Sequence, residues 1–507
     1  MKFEFEPLNL YTNYEVAATK YPNSKLFFDK EVAAFPEFEN EISYKESLEL
    51  IKYRAYQLYS VGIKKNDQVV IFKSSALDTY LLAVCASYLG AIPVMISHHF
   101  NSETMDKMIS RLDNPYLIYD YDTETKVNKL STLDNDKLIK LEELINLKVT
   151  FEVKQEYLDL DDISYMTHTS GTTGVPKLIC HSANSMGYRI QFQKSIFDKM
   201  TDKKLLAFHI SPVHSRFNIG IASLMGLGYD ALAIRDADEI SVINTLSKYE
   251  VYALETHPNN FVQWSNIAKK HPELFNSIKY YHSTFDAINP ETMHIFLQAS
   301  SHQDSVFLQI YGQSECGPMI IKAHTLKSLE DTDGRDMGFG FPGLTKARIC
   351  DENGNEVTNN TKGNIHLYSI GRALTYYKED ERFKTNVYGD WWDSGDYGLI
   401  DDTGSLKLLD RQIDIVKDID STLAIEDMLL DNLEFLDEVV IIRGKNEMPQ
   451  PVIAIKKDHK FNKDLWFKLL TNLPHILNPI IMDYESLPRT ATMKVRRVAL
   501  ESSLKED

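Results

Sequence analysis

Residues 169–177 read Thr-Ser-Gly-Thr-Thr-Gly-Val-Pro-Lys, directly behind a strand-like run at 163–167. Gly171 and Gly174 allow φ > 0 and a close approach of backbone to ligand. Thr169, Ser170, Thr172 and Thr173 add hydroxyl donors, and Lys177 adds a mobile positive charge. A loop of this composition at the end of a strand suits a polyphosphate; an ordinary surface turn is the alternative. It is not a Walker A loop, which needs Gly-x-x-x-x-Gly-Lys-Ser/Thr. Here the second glycine follows three residues after the first, and the lysine follows a proline.

The surrounding pattern alternates strand and helix. Helical spacing over 44–61 is followed by a β-rich run at 68–72, a helix over 78–89 stopped by Gly90, and apolar strands at 92–96 and 116–119. Beyond the loop, strands are expected at 205–210, 231–234, 253–256 and 306–310, separated by helical segments. Such alternation implies βαβ units and a mostly parallel sheet. From about 337 to 410 the texture changes to Gly/Asp-rich short strands, a small antiparallel subdomain. A compact α+β segment fills 415–507. The expectation is an α/β chain with an N-terminal core over 1–410, a boundary at 411–414 and a C-terminal domain over 415–507, in keeping with a length of 507 residues.

The balance of 55 basic against 73 acidic residues, net −18, argues against a general nucleic-acid binder. The four cysteines are scattered without a Cys-x-x-Cys pair, which fits neither a disulfide framework nor a zinc site. The apolar stretch 81–96 is broken by Gly90 and Pro93 and is too short to span a bilayer. A cytoplasmic enzyme without a membrane or nucleic-acid partner is the expectation.

Three further constellations carry chemistry. Tyr311-Gly312-Gln313-Ser314-Glu315 follows an apolar strand, offering a flat aromatic face and a hard carboxylate ligand for Mg²⁺. Trp391-Trp392-Asp393-Ser394-Gly395-Asp396-Tyr397-Gly398 precedes Asp410-Arg411-Gln412-Ile413-Asp414. Near the C-terminus stands Pro488-Arg489-Thr490-Ala491-Thr492-Met493-Lys494-Val495-Arg496-Arg497. Together with loop 169–177, in this order and spacing, these stretches resemble the motifs of the adenylate-forming superfamily: acyl- and aryl-CoA synthetases, peptide-synthetase adenylation domains and luciferase.

The resemblance implies that loop 169–177 holds the β/γ-phosphates of ATP, that Glu315 anchors Mg²⁺, and that Asp396 and Arg411 meet the ribose. A carboxylate suits a cis-diol because it offers two acceptor oxygens. Lys494 becomes the catalytic lysine. Tyr311, Gly312, Ser314, Phe285 and Asp286 fall on the nucleotide side. His214 matches the gating histidine or aromatic, and Phe217, Asn218, Gly220, Thr284, Gly317 and Met319 fall on the acid side. Arg216 could pair with a second carboxylate of the substrate, but reads rather as a solvated surface residue. Asn218, standing where amino-acid-activating members carry an acidic residue, points away from an α-ammonium substrate and toward a small aryl or short/medium acyl acid.

The implied reaction joins a carboxylate to AMP with loss of pyrophosphate, then passes the acyl group to a phosphopantetheine thiol, on CoA or on a carrier protein. Three departures bear on the second step. Met493 replaces a glycine, Ile413 replaces Asp or Lys in the hinge, and 417–422 holds no glycine where relatives border the pantetheine tunnel. A luciferase-type oxygenase sharing the adenylation half, or an ATP-binding protein that has lost turnover, are the alternatives.

Overall fold

The computed structural model describes residues 6–169, 175–197, 200, 202, 204–284, 287–330, 332–416, 419, 421–471, 473, 476–489 and 495–505. It divides into two compact units, each discontinuous in sequence: Met1–Glu255 with Gln313–Pro318 and Ser369–Thr385, and Thr256–Gly312 with Met319–Tyr368 and Asn386–Asp507.

In the first unit, the strands Thr375–Tyr376, Leu178–His181, Tyr165–His168, Ile92–Met95, Gln68–Phe72, Tyr116–Tyr119 and Leu138–Lys140 form one sheet in that order. The last five are parallel. Gln68–Phe72 is buried along its whole length, as a central parallel strand covered on both faces must be. Helix Asp78–Tyr88, within the span read from the sequence, is buried all round except Ser87. Leu178–His181 turns back antiparallel against Tyr165–His168, and Thr375–Tyr376 adds to its far side. A second sheet segment in this unit runs Leu206–His209, Ala231–Ala233 and Lys25–Phe28 in parallel, with Glu41–Ser43 antiparallel at the edge. Glu41–Ser43 leads into helix Tyr44–Ser60, where Ser43 and Glu46 close a capping box.

In the second unit, Tyr280–Thr284 and Val306–Gln313 are parallel. The Gly/Asp-rich stretch forms antiparallel pairs among Asp336–Gly340, Leu406–Arg411, Trp391–Ile400 and Gly363–Ser369. Ser369–Thr385, which sits inside that stretch in sequence, belongs to the first unit instead.

The C-terminal segment is built on the hairpin of Leu436–Arg443 and Pro449–Ile455, with Ile480–Ile481 parallel at its edge. Period-2 alternation sends Val439 and Ile441 to one face and Val440 and Ile442 to the other. Ile425, Leu429 and Trp466, from helices Thr422–Asn432 and Lys463–Leu470, cover the first face; Leu487 and Leu500 cover the second. Among the described residues, no helix is long and apolar enough to cross a membrane.

Candidate active site

In the first unit, the phosphate-loop candidate leaves strand Tyr165–His168 and returns as Leu178–His181. Two bonds close its neck: Thr169 N–H donates to the Lys177 carbonyl and Lys177 N–H to Thr169 Oγ1, both at 3.0 Å. Ser170, Gly171, Thr172, Thr173 and Gly174 lie outside the described residues. His168 fixes the approach. Its Nε2 accepts from Ser97 N–H at 3.1 Å, so Nδ1 carries the proton and donates to the Thr169 carbonyl at 2.8 Å. Burial pushes its pKa down to about 4, which keeps the ring in this neutral tautomer.

Glu315 is held by groups far away in sequence. Buried Arg189 donates to the carbonyls of Ser314 and Glu315 at 2.8 Å and, through Nε, to Gly371 at 2.7 Å. Ala373 N–H adds a 2.7 Å bond to the Glu315 carbonyl. Gly317 sits at φ 88°, and a Cβ there would lie 2.7 Å from Arg189 Cδ, so a glycine is required on both counts. The Glu315 side chain accepts a 2.6 Å bond from the Tyr376 hydroxyl, while Lys177 Nζ lies 3.2 Å from that hydroxyl and 4.4 Å from the ring centre. Burial lowers the Lys177 pKa, with Glu315 pushing back the other way. Among the described residues no group of three or more His, Cys, Asp or Glu could hold a metal ion. A single anchoring carboxylate fits Mg²⁺, which keeps waters and substrate phosphates as its remaining ligands.

On the acid side, His214 stands at the N-cap position of helix Ser215–Leu227, its side chain making no cap bond, and is buried, its ring 6.1 Å from that of His168. Phe217 packs edge-on against Tyr80 at 5.7 Å and Phe208 at 5.4 Å, so much of its surface is spent in the core. Asn218 is fully buried; its Nδ2 donates to the His214 carbonyl at 3.0 Å, and its Oδ1 has no partner among the described residues. Because Nδ2 faces a carbonyl, the amide cannot be flipped, and Oδ1 is an acceptor awaiting a donor. A Cβ on Gly220 would meet Arg216 Nη1 at 3.3 Å. Arg216 itself is not solvated, contrary to the reading from sequence. It is buried, with Nη2 2.8 Å from Glu255 Oε2, because a desolvated guanidinium needs an anionic partner.

In the second unit, the Tyr311 hydroxyl donates to Asp396 Oδ2 at 2.7 Å, both residues being buried. Arg411 Nε lies 3.7 Å from Asp396 Oδ1, and strand pairing sets the two residues directly opposite each other. Ser394 Oγ accepts from Asp396 N–H at 3.1 Å, and Gln412 Nε2 donates to Asp393 at 2.9 Å. Gly312 continues the strand that carries Tyr311. Thr284 is buried at the end of strand Tyr280–Thr284, and the Met319 carbonyl accepts from Thr345 Oγ1 at 2.6 Å. Phe285, Asp286 and Lys494 lie outside the described residues. Arg489 and Val495 form an antiparallel bridge. Arg497 chelates Glu426 at 2.6 and 2.8 Å and lies 3.6 Å from Asp414 in the expected hinge.

The structure therefore assembles Lys177 with Glu315 in one unit, and Tyr311 with Asp396 and Arg411 in the other. Arg189 and Tyr376 escaped the sequence reading. An arginine on the buried face of helix Ala183–Phe197 was the available signal for the first; the second carried none.

The family described as AMP-binding enzyme matches residues 14–377. The chain belongs to that family. This AMP-binding enzyme is a member of the adenylate-forming superfamily and has its α/β fold. It is 29% identical to 3-amino-2-hydroxy-4-methoxybenzoate diazotase of Streptomyces cremeus, the match covering 96% of this chain and 94% of the relative. It is 22% identical to 4-chlorobenzoate–CoA ligase of an Arthrobacter species, over 92% and 91% of the two chains. Among solved structures, O-succinylbenzoate coenzyme A synthetase from Bacillus subtilis in complex with ATP and magnesium ion superposes with a TM-score of 0.78 at 17% identity, covering 98% of this chain and 100% of that one.

Proposed function

We propose that this AMP-binding enzyme joins a small oxyacid to AMP, with loss of pyrophosphate, and hands the activated group to the nitrogen of an aromatic amine. An oxyanion is ionised at neutral pH, so no general base is required for it to attack the α-phosphate. The obstacle is electrostatic, and positioning with charge neutralisation overcomes it. In this reading loop 169–177 and Lys177 hold the outer phosphates, Asp396 and Arg411 hold the ribose, and Lys494 bridges the oxyanion and the α-phosphate. Glu315 would hold a Mg²⁺ ion, whose charge would offset that of the triphosphate.

The observation that carries this reading is the full-length relation to the diazotase. A diazonium ion needs a second nitrogen at the oxidation level of nitrite. Nitrite attacking ATP gives O=N–O–AMP and pyrophosphate. The amine nitrogen then attacks the nitrosyl nitrogen, the N–O bond to AMP breaks, and a proton leaves to give Ar–NH–N=O. Tautomerisation to Ar–N=N–OH and loss of water after protonation gives Ar–N₂⁺. No oxidant or reductant is consumed. Asn218 supports an aryl substrate with a donor substituent, because its orphaned Oδ1 is completed by an amino or hydroxyl hydrogen.

A second reading keeps the acid–thiol ligase expected from sequence: a small aryl or short/medium acyl acid becomes acyl-AMP and then a thioester of CoA or of a carrier protein. The relation to 4-chlorobenzoate–CoA ligase supports it. The glycine-free 417–422 favours the first reading, since members of the resembled family carry a glycine-rich stretch there at the border of the pantetheine tunnel. The test is AMP release with a panel of aminobenzoates, with ¹⁵N-nitrite or with CoA, and mass analysis of the products. Nitrite-dependent AMP and a ¹⁵N-labelled diazonium, trapped as an azo dye, are expected. CoA-dependent thioester without nitrite dependence would replace the first reading by the second.

A further inference from the structure

The phosphate-loop lysine and the Mg²⁺-anchoring glutamate are brought close in the first unit, which creates a hazard. Lys177 carries a positive charge intended for phosphate, and Glu315 a negative charge intended for a cation. In a half-desolvated setting, opposite charges at short range collapse into an ion pair. A direct pair would spend both groups on each other. Between them stands Tyr376, and nothing in the motif logic of the chain assigns it a role.

Thr375–Tyr376 pairs antiparallel to Leu178–His181, with Tyr376 opposite Ile179, two residues beyond Lys177. The ring is buried and packs edge-on against Phe383 at 5.1 Å. A phenol hydroxyl can accept and donate at once. Here it accepts from Lys177 Nζ at 3.2 Å and donates to Glu315 Oε1 at 2.6 Å, while the ammonium also lies over the ring face at 4.4 Å. The Glu315 backbone is independently pinned by Arg189 and Ala373, and among the described residues the Tyr376 hydroxyl orients the carboxylate.

We propose that Tyr376 is a positioning residue that spaces Lys177 from Glu315, holding the carboxylate ready for Mg²⁺ and the ammonium ready for the phosphates of ATP. It rests on the assignment of Glu315 to Mg²⁺ made above, but not on the choice of acid or acceptor. The hydroxyl holds one Glu315 oxygen, so the other is presented in a fixed direction. When Mg·ATP binds, Lys177 exchanges the phenol oxygen for phosphate oxygens. The ring beneath it offers a cation–π surface along which the ammonium can move without full resolvation.

Tyr376→Phe keeps the ring and its packing on Phe383 while deleting both hydroxyl contacts. The Mg²⁺ concentration for half-maximal ATP binding, read by titration calorimetry without any acid present, should rise about 10-fold, the scale of one hydrogen bond to a charged group. In turnover the KM for Mg·ATP should rise while kcat changes less. Tyr376→Leu also removes the ring, lets Lys177 and Glu315 meet, and should raise the Mg²⁺ requirement further. The Tyr376→Phe and Glu315→Gln changes should be non-additive in Mg²⁺ dependence, because one acts through the other. Thermal melting checks that each variant is folded. Tyr376→Phe with wild-type Mg²⁺ dependence, or effects that add independently to Glu315→Gln, would overturn the proposal. If Glu315→Gln alone leaves Mg²⁺ dependence unchanged, the metal assignment falls and the spacer role falls with it, whatever the diazotase and thiol-ligase assays return.

Discussion

The hydroxyl of Tyr311 donates a 2.7 Å hydrogen bond to Asp396, across 85 residues of sequence. Two motifs read separately in the chain are thereby joined. Burial and the neighbouring Asp396 charge hold the Tyr311 phenol well above its ordinary pKa, so it remains a donor throughout the working pH range. The Asp396 carboxylate is thus oriented by Tyr311 and Arg411, while its backbone N–H is fixed on Ser394 Oγ; in the proposed reading it would meet the ribose diol. Asp396→Ala should raise the KM for ATP about 10- to 100-fold, and Tyr311→Phe by a smaller factor of about 3–10. Pyrophosphate exchange at varied ATP measures both; unchanged KM in Asp396→Ala contradicts the ribose assignment.

Lys494 is expected to meet the reacting α-phosphate, so Lys494→Ala should lower the rate of adenylate formation roughly 10²–10³-fold, the cost of removing one preorganised charge-stabilising group. ATP binding should change far less. Single-turnover release of pyrophosphate checks the rate, and near-normal release would remove the lysine from the mechanism.

Asn218→Leu fills the same buried volume with no acceptor. For aryl substrates bearing an amino or hydroxyl donor, kcat/KM should fall about 10-fold, in line with an unmade buried hydrogen bond. For the unsubstituted analogue it should hold or rise. Equal losses on both substrates would show that Asn218 acts only on packing.

The carboxyl of Asp431, desolvated and beside Glu291, is pushed up to about 6, and burial moves that of Asp410 to about 6 as well. Both values stand above the ordinary carboxylate range near 4. The folded chain therefore binds these protons more tightly than the unfolded chain, and this contribution to stability is lost as pH rises from about 4 to about 6, then stays level. Asp431→Asn should flatten part of that slope and raise stability above pH 6 by about 1–2 kcal/mol, after discounting for partial exposure. Urea midpoints at pH 4 and pH 7.5 measure it. A variant with the wild-type slope contradicts the assignment.

What sequence made legible follows from what the chemistry demands locally. The strand ahead of 169–177 was readable from its apolar run and stands at Tyr165–His168, whereas the returning strand Leu178–His181 was not read, because its pairing partner lies across the loop. Glu315 was singled out because it follows the apolar strand that ends at Gln313, whereas Asp396 lies inside strand Trp391–Ile400 and was singled out by its motif alone. Arg189 and Tyr376 were not, because their roles arise only when residues 126 and 61 positions away fold against them. Arg216 was misread for the same reason: its partner Glu255 lies 39 residues on, and a lone arginine in sequence looks solvated. Phe217, expected to line the acid site, proves largely engaged with Tyr80 and Phe208, whose register no local pattern reveals.

The central claim is that ATP is cleaved between its α- and β-phosphates by an attacking oxyanion. The direct measurement is the nucleotide product of the purified chain with Mg·ATP, ¹⁸O-labelled nitrite and an aminobenzoate. The account predicts AMP and pyrophosphate in equal amounts, with label carried into the phosphate of AMP. Formation of ADP and inorganic phosphate, or AMP free of label, would contradict it.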